Sequence, residues 1–123
     1  MKKPAASGAG LPLSIFAMPG FGSPEGLRWE ALRPGIEAAW LYRQEPDGAR
    51  AAVLRYQPGA TVPAHRHLGY EHIFVLEGEQ ADDVRSYPAG TLTIFPPGSR
   101  HRVFSKNGCV VLAIWTATVR FDE

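Results

Sequence analysis

"GATVPAHRHLGYEHIFVLEG", residues 59–78, holds three of the chain's four histidines, and the fourth, His101, follows 29 residues after His72. Short β-branched and aromatic runs broken by glycine and proline are the pattern of strands joined by tight turns. Side chains on a strand alternate with a period of two, so His65 and His67 project from one face. Their Cα atoms then lie about 6.6 Å apart, close enough for both imidazoles to lean onto one ion at about 2.0–2.1 Å. Glu71 keeps the same odd parity. A bend at Leu68, Gly69 and Tyr70, with Gly69 at its tip, returns the Glu71 carboxylate to the same point. Ile73 and Val75 continue that face into a core. His72 has the opposite parity and is expected to point away, as a surface or interface side chain.

Outward from this stretch, the runs 38–44, 49–57, 64–67, 71–78, 91–95, 101–105 and 109–121 read as strands. Turn signals fill 45–48, 58–63, 79–90, 96–99 and 106–108. The one helix-like stretch, "PEGLRWEALRPG" (24–35), gives at most a turn or two before Pro34. Residues 1–25 are rich in Gly, Pro, Ala and Ser and read as an arm; residues 26–123 read as one all-β barrel of six to eight strands. No helix–strand alternation of the parallel α/β kind is present.

Composition narrows the function classes. A chain of 123 residues, 45% hydrophobic and 20% charged, suits one soluble domain. The net charge is +1 and the 13 basic residues are scattered, which argues against nucleic acid as a partner. No run approaches the roughly 18 apolar residues of a membrane span. Behind Lys2 and Lys3, Pro4, Ser7, Pro12 and Ser14 interrupt what would be the apolar part of a signal peptide, so a cytoplasmic location is expected. The single cysteine, Cys109, forbids an internal disulfide and reads as a small buried hydrophobe. It opens "CVVLAIW" (109–115), apolar on both faces. One face fills the barrel; the other calls for cover by the arm or a second subunit, and a homodimer is expected.

His101 follows "FPPGSR", where Pro96, Pro97 and Gly98 form a rigid turn that delivers the next strand in a defined direction. Gly59, five residues, His65-x-His67, three residues, Glu71, six residues and Gly78 resemble the first cupin motif at every fixed position. Gly90, five residues, Pro96-x-Gly98, two residues and His101 resemble the second, except that Ser105 stands where the family usually has Asn. The chain is most similar to the ChrR-like cupins, including a "GC" (Gly108-Cys109) before the final strand.

The resemblance implies a single-domain cupin, a double-stranded β-helix or jelly-roll barrel. It implies one divalent metal ion held by His65, His67, Glu71 and His101: Fe(II) or Zn, with Ni, Mn and Co also compatible with these donors. The subgroup includes the cupin domain of zinc anti-sigma factors and stand-alone dioxygenases of the acetylacetone-cleaving kind. Residues 1–58 contain no His and no Cys, unlike the sigma-binding helical domain of those factors. The expected function is therefore a metal-dependent dioxygenase for a small diketone or phenolic ketone, with Glu71 also serving as a base. The alternative is a non-catalytic metal- or ligand-binding sensor. Trp40, Tyr42, Tyr56, Phe74, Phe95, Phe104 and Trp115 read first as core packing and second as a pocket wall.

Overall fold

Ten strands are built from residues 27–121, the part of the chain that the computed structural model describes. They are β1 (Glu30–Arg33), β2 (Ile36–Arg43), β3 (Arg50–Tyr56), β4 (Ala60–His67), β5 (Glu71–Asp82), β6 (Ser86–Pro88), β7 (Leu92–Phe95), β8 (Arg100–Ser105), β9 (Cys109–Trp115) and β10 (Val119–Phe121). No helix occurs among the described residues, and none is long and apolar enough to cross a membrane. Hydrogen bonding links the strands in the order β1-β2-β3-β9-β5-β8-β4-β10, with β6 and β7 also on β5. Neighbours on this path are antiparallel wherever a register is defined, and the sheet curls into two walls.

The two walls meet in β5. Its first part, Glu71 to Gly78, pairs with β9, while Ala81 and Asp82 pair with β8. The strand crosses over next to Gly78, whose φ of 75° lies in the left-handed region. A Cβ there would also collide with the Gly108 carbonyl oxygen. Only glycine meets both conditions without strain.

Two register irregularities decide which side chains face inward. The β4–β8 ladder shifts between Val62 and His65, and the β5–β9 ladder shifts between Val75 and Glu77. An extra residue on one strand swaps the faces beyond it. In β4 the buried parity passes from Ala60 to His65 and His67; in β5 it passes from Glu71, Ile73 and Val75 to Gln80 and Asp82.

The inner core is built from Ile36, Leu54, Val75 and Val111 around small residues such as Ala38 and Ala113. The second face of "CVVLAIW" is partly covered too. Val110 joins Ala39 and Val53 in an outer cluster, against which Leu27 and Trp29 pack. Phe74, Leu92 and Ile94 remain exposed on that side.

The all-β, single-domain expectation holds, with corrections. The described residues form ten strands, more than six to eight. Within the helix-like stretch Glu30–Arg33 form a strand: Pro34 and Gly35 turn a hairpin in which Ala31 faces Glu37 across β1 and β2. Cross-strand pairing overrides the short helical pattern there. The expected turn at 58–63 already contains β4, the region 79–90 holds the end of β5 and all of β6, and the run 109–121 breaks at 116–118 into β9 and β10. The arm at 1–25 lies outside the described residues.

Gly78→Ala should destabilise the fold by more than about 1 kcal/mol, because it combines an unfavourable φ with a backbone collision. Urea unfolding of variant and wild type measures this. A difference below about 0.5 kcal/mol would contradict the crossover geometry.

Candidate metal centre

Four strand positions converge on one point inside the barrel. His65 and His67 come from β4, Glu71 from the start of β5 and His101 from β8. The ladder places His65 directly opposite His101. The chain returns from His67 to Glu71 through a bend at Leu68 and Gly69, where a Cβ on Gly69 would collide with the Thr116 hydroxyl. One donor atom from each of the four residues lies within 4.8 Å of all the others, and all four residues are buried. The four candidates read from the sequence are thus brought together.

His65 and His67 are tied to the barrel through Nδ1, and all three imidazoles turn Nε2 inward. His65 Nδ1–H donates to the Pro63 carbonyl at 2.8 Å, across the irregularity in β4. Ser99 donates its hydroxyl proton to the Pro96 carbonyl at 2.6 Å and accepts from His67 Nδ1–H at 2.8 Å. His101 Nδ1 faces Asp82 Oδ2 at 3.7 Å. Such outer partners fix the tautomer of a metal-binding imidazole and orient its ring.

The inward atoms then confront one another. His65 Nε2 and His101 Nε2 are 3.1 Å apart, and His67 Nε2 lies 2.8 Å from Glu71 Oε1. With Nδ1 protonated, a neutral imidazole offers only a lone pair at Nε2. Lone pair would face lone pair in one contact and carboxylate in the other. His67 Nε2 and Glu71 Oε1 both lack a hydrogen-bond partner despite complete burial. Positive charge between the donors, as protons on the imidazoles or as a metal ion, would satisfy this arrangement. Three imidazoles and one carboxylate could bind a divalent transition metal, and the set suits Fe(II), Zn, Mn, Ni or Co.

The titration behaviour agrees. Burial pushes the Glu71 carboxyl up, but the adjoining His101 and His67 imidazoles outweigh it and hold the group at about 2. Burial lowers His65, against the opposing hydrogen bond to Pro63, so the neutral, ligand-ready form is favoured.

His72 takes no part. It lies on the opposite face of β5, between Ile94 on β7 and Ile114 on β9, as parity requires. The sequence reading missed Asp82, Tyr87 and Ser99. Tyr87 donates its hydroxyl to Asp82 Oδ2 at 2.7 Å, and Asp82 Oδ1 accepts the N–H groups of Val84 and Arg85 at 2.9 and 3.0 Å. These bonds hold the carboxylate behind His101. Ser105, the departure from the second motif, is fully buried and donates to the Glu79 carbonyl at 2.7 Å.

A cavity of about 350 Å³ opens beside the cluster, reaching His65, Glu71 and His101. Trp40, Tyr56 and Trp115 line it, whereas Tyr42, Phe74 and Phe104 are exposed and Phe95 meets the His101 ring edge-on, centroids 4.5 Å apart. Gln80, also inward, donates to the Tyr56 hydroxyl at 3.3 Å.

The ChrR Cupin-like domain model matches residues 21–119. The chain belongs to this family. It is 34% identical over 103 residues to the anti-sigma-E factor ChrR of Cereibacter sphaeroides, covering 80% of this chain and 46% of that protein. The chain thus spans about half the length of that relative. The crystal structure of Rhodobacter sphaeroides SigE in complex with the anti-sigma ChrR matches with a TM-score of 0.65 and 30% identity, over 74% of this chain and 50% of that one. An acetylacetone dioxygenase from Acinetobacter johnsonii matches with a TM-score of 0.71 over 77% of this chain and 72% of that one. At 14% identity, this last match speaks for the cupin fold alone.

The signs of the two shifts give a pH dependence for metal-free protein. His65 is lowered when folded, so its contribution is present above its unfolded value near 6.5 and is lost as pH falls below it. Glu71 is also lowered, so its contribution is lost as pH falls from about 4.5 toward about 2. The urea midpoint should fall from pH 7 to pH 4, and His65→Gln should flatten the upper part of that fall. A midpoint that rises on acidification would contradict the assignment.

Proposed function

We propose that this chain is a metal-dependent dioxygenase of the ChrR-like cupin type, acting on a small diketone or phenolic ketone. The observation that carries the reading is the set of inward-facing acceptor atoms at the wall of a cavity of about 350 Å³. That volume suits a small ligand. His65, His67, Glu71 and His101 would hold one divalent ion. When bound, Fe(II) would supply redox chemistry with O₂, and Zn would supply Lewis acidity. The protein's own part is to exclude water and orient the ligand. Trp40 and Trp115, 6.0 Å apart, give an apolar wall, and Tyr56 with Gln80 gives a polar one. Glu71 acts first as a ligand, because a carboxyl held near 2 is a weak base where it stands. Movement away from His67 and His101 would return it toward the ordinary carboxylate range and allow it to take a proton.

The second reading is a non-catalytic metal- or ligand-binding sensor, favoured by the identity to an anti-sigma factor. The two readings share the metal site and differ in turnover. We also infer a homodimer through the outer face of β5 and β7. Phe74, Leu92 and Ile94 are exposed there, and His72 Nδ1 is buried without a partner. A cytoplasmic location remains the expectation of the composition.

His101→Ala should lose most of its metal and any oxygenase activity, whereas His72→Ala should change metal affinity by less than about tenfold. Metal analysis of untagged protein and oxygen uptake with acetylacetone test both variants. Metal lost from His72→Ala and retained in His101→Ala would overturn the ligand set. Metal retained by wild type, with no uptake on any small diketone or phenolic ketone, would make the sensor the correct reading.

Light scattering at high micromolar concentration should give twice the chain mass of 13.4 kDa, and Ile94→Glu should halve it. A wild-type monomer would contradict the dimer.

A further inference from the structure

Three arginines, Arg33, Arg43 and Arg50, line the cavity beside the His/Glu cluster. They are not equivalent. Arg50 donates to the Gly48 and Pro46 carbonyls at 3.1 Å each and lies 3.7 Å from Glu45, so it is committed to its own loop. Arg43 lies over the Trp40 ring at 4.3 Å and 3.8 Å from Glu30. Arg33 has no acidic partner among the described residues. Its guanidinium carbon lies over the Phe121 ring, 4.1 Å from the centroid, and the residue is half-buried. The Phe121 ring in turn packs on His65 at 5.3 Å. One aromatic ring therefore stands between the guanidinium and His65, and both residues line the same cavity.

The charge balance has the same sign. Three neutral imidazoles, Glu71 and a divalent ion would leave one net positive charge among the ligands, which the Asp82 carboxylate behind His101 offsets, so Arg33 is the uncompensated positive charge on this cavity wall. A half-buried guanidinium without a counter-ion offers a fork of donors suited to a carboxylate. We propose that the cavity is built for an anionic ligand: a small molecule with a carboxylate on Arg33, an apolar body against Trp40 and Trp115, and chelating oxygens toward His65, Glu71 and His101. This rests on the metal-site reading above and narrows its substrate class from neutral diketones to those carrying an acid group.

The test is a matched pair of probes, 4,6-dioxoheptanoate and its methyl ester, titrated calorimetrically into metal-loaded protein. Both carry the same diketone; only the acid carries charge. Wild type should bind the acid at least about tenfold more tightly than the ester, the size of one charge-assisted hydrogen bond. Arg33→Gln should abolish the preference, and Arg33→Lys should restore part of it. Arg102→Gln, which removes the same charge from an exposed β8 position outside this cavity, should leave the preference intact. Thermal melts establish that each variant is folded. Equal binding of acid and ester by wild type, or an undiminished preference in folded Arg33→Gln, would overturn the proposal. The His101→Ala protein separates it from the metal reading: its affinity for both probes should fall while a preference for the acid survives. Loss of all preference there would assign the discrimination to the metal centre and overturn the role of Arg33.

Discussion

The site depends on one electrostatic constraint. Each of three imidazoles has its Nδ1 side turned to the barrel, toward Pro63, Ser99 or Asp82, so that all three Nε2 atoms face Glu71 and one another. No hydrogen bond among the described residues relieves the crowding, because His67 Nε2 and Glu71 Oε1 are both buried and without a partner. A cation does so directly. This explains why residues of such different cost to bury occupy the inside of a barrel otherwise filled by valine, isoleucine and alanine. It also explains the supporting carboxylate: Asp82, held by Tyr87 and two backbone N–H groups, keeps negative charge behind His101.

Much of this was legible in the sequence, because the four candidate ligands lie on regular strand segments. His65 and His67 alternate with exposed Arg66, and His101 with exposed Arg100 and Arg102, so simple parity applies. What parity could not reveal lies beyond the two irregular points. Counting from Glu71, Gln80 and Asp82 have even numbers and should face outward. The shift between Val75 and Glu77 turns them in, which no propensity signal announces. The same region, rich in Asp, Gly and Pro, reads as a turn, which concealed β6 and with it Tyr87. Arg33 was hidden for another reason. Its segment has a short helical pattern, and only pairing across the Pro34-Gly35 turn makes it a strand on the cavity wall.

The family relationship narrows the chemistry without choosing the activity. An anti-sigma factor and, by fold alone, an acetylacetone dioxygenase share this architecture. A shared fold carries different functions through changes at the site. Here the cavity wall carries Trp40, Trp115 and Arg33. Under either reading the four donors would hold the ion, and these side chains would select what reaches it.

The central claim is that the four inward donors share one ion. X-ray absorption at the metal edge of Fe(II)- or Zn-loaded protein tests it most directly. The account predicts nitrogen and oxygen donors at about 2.0–2.2 Å, outer-shell scattering from three imidazoles and no sulfur ligand. A spectrum of a hydrated ion without imidazole scattering, or one with sulfur from Cys109, would contradict it.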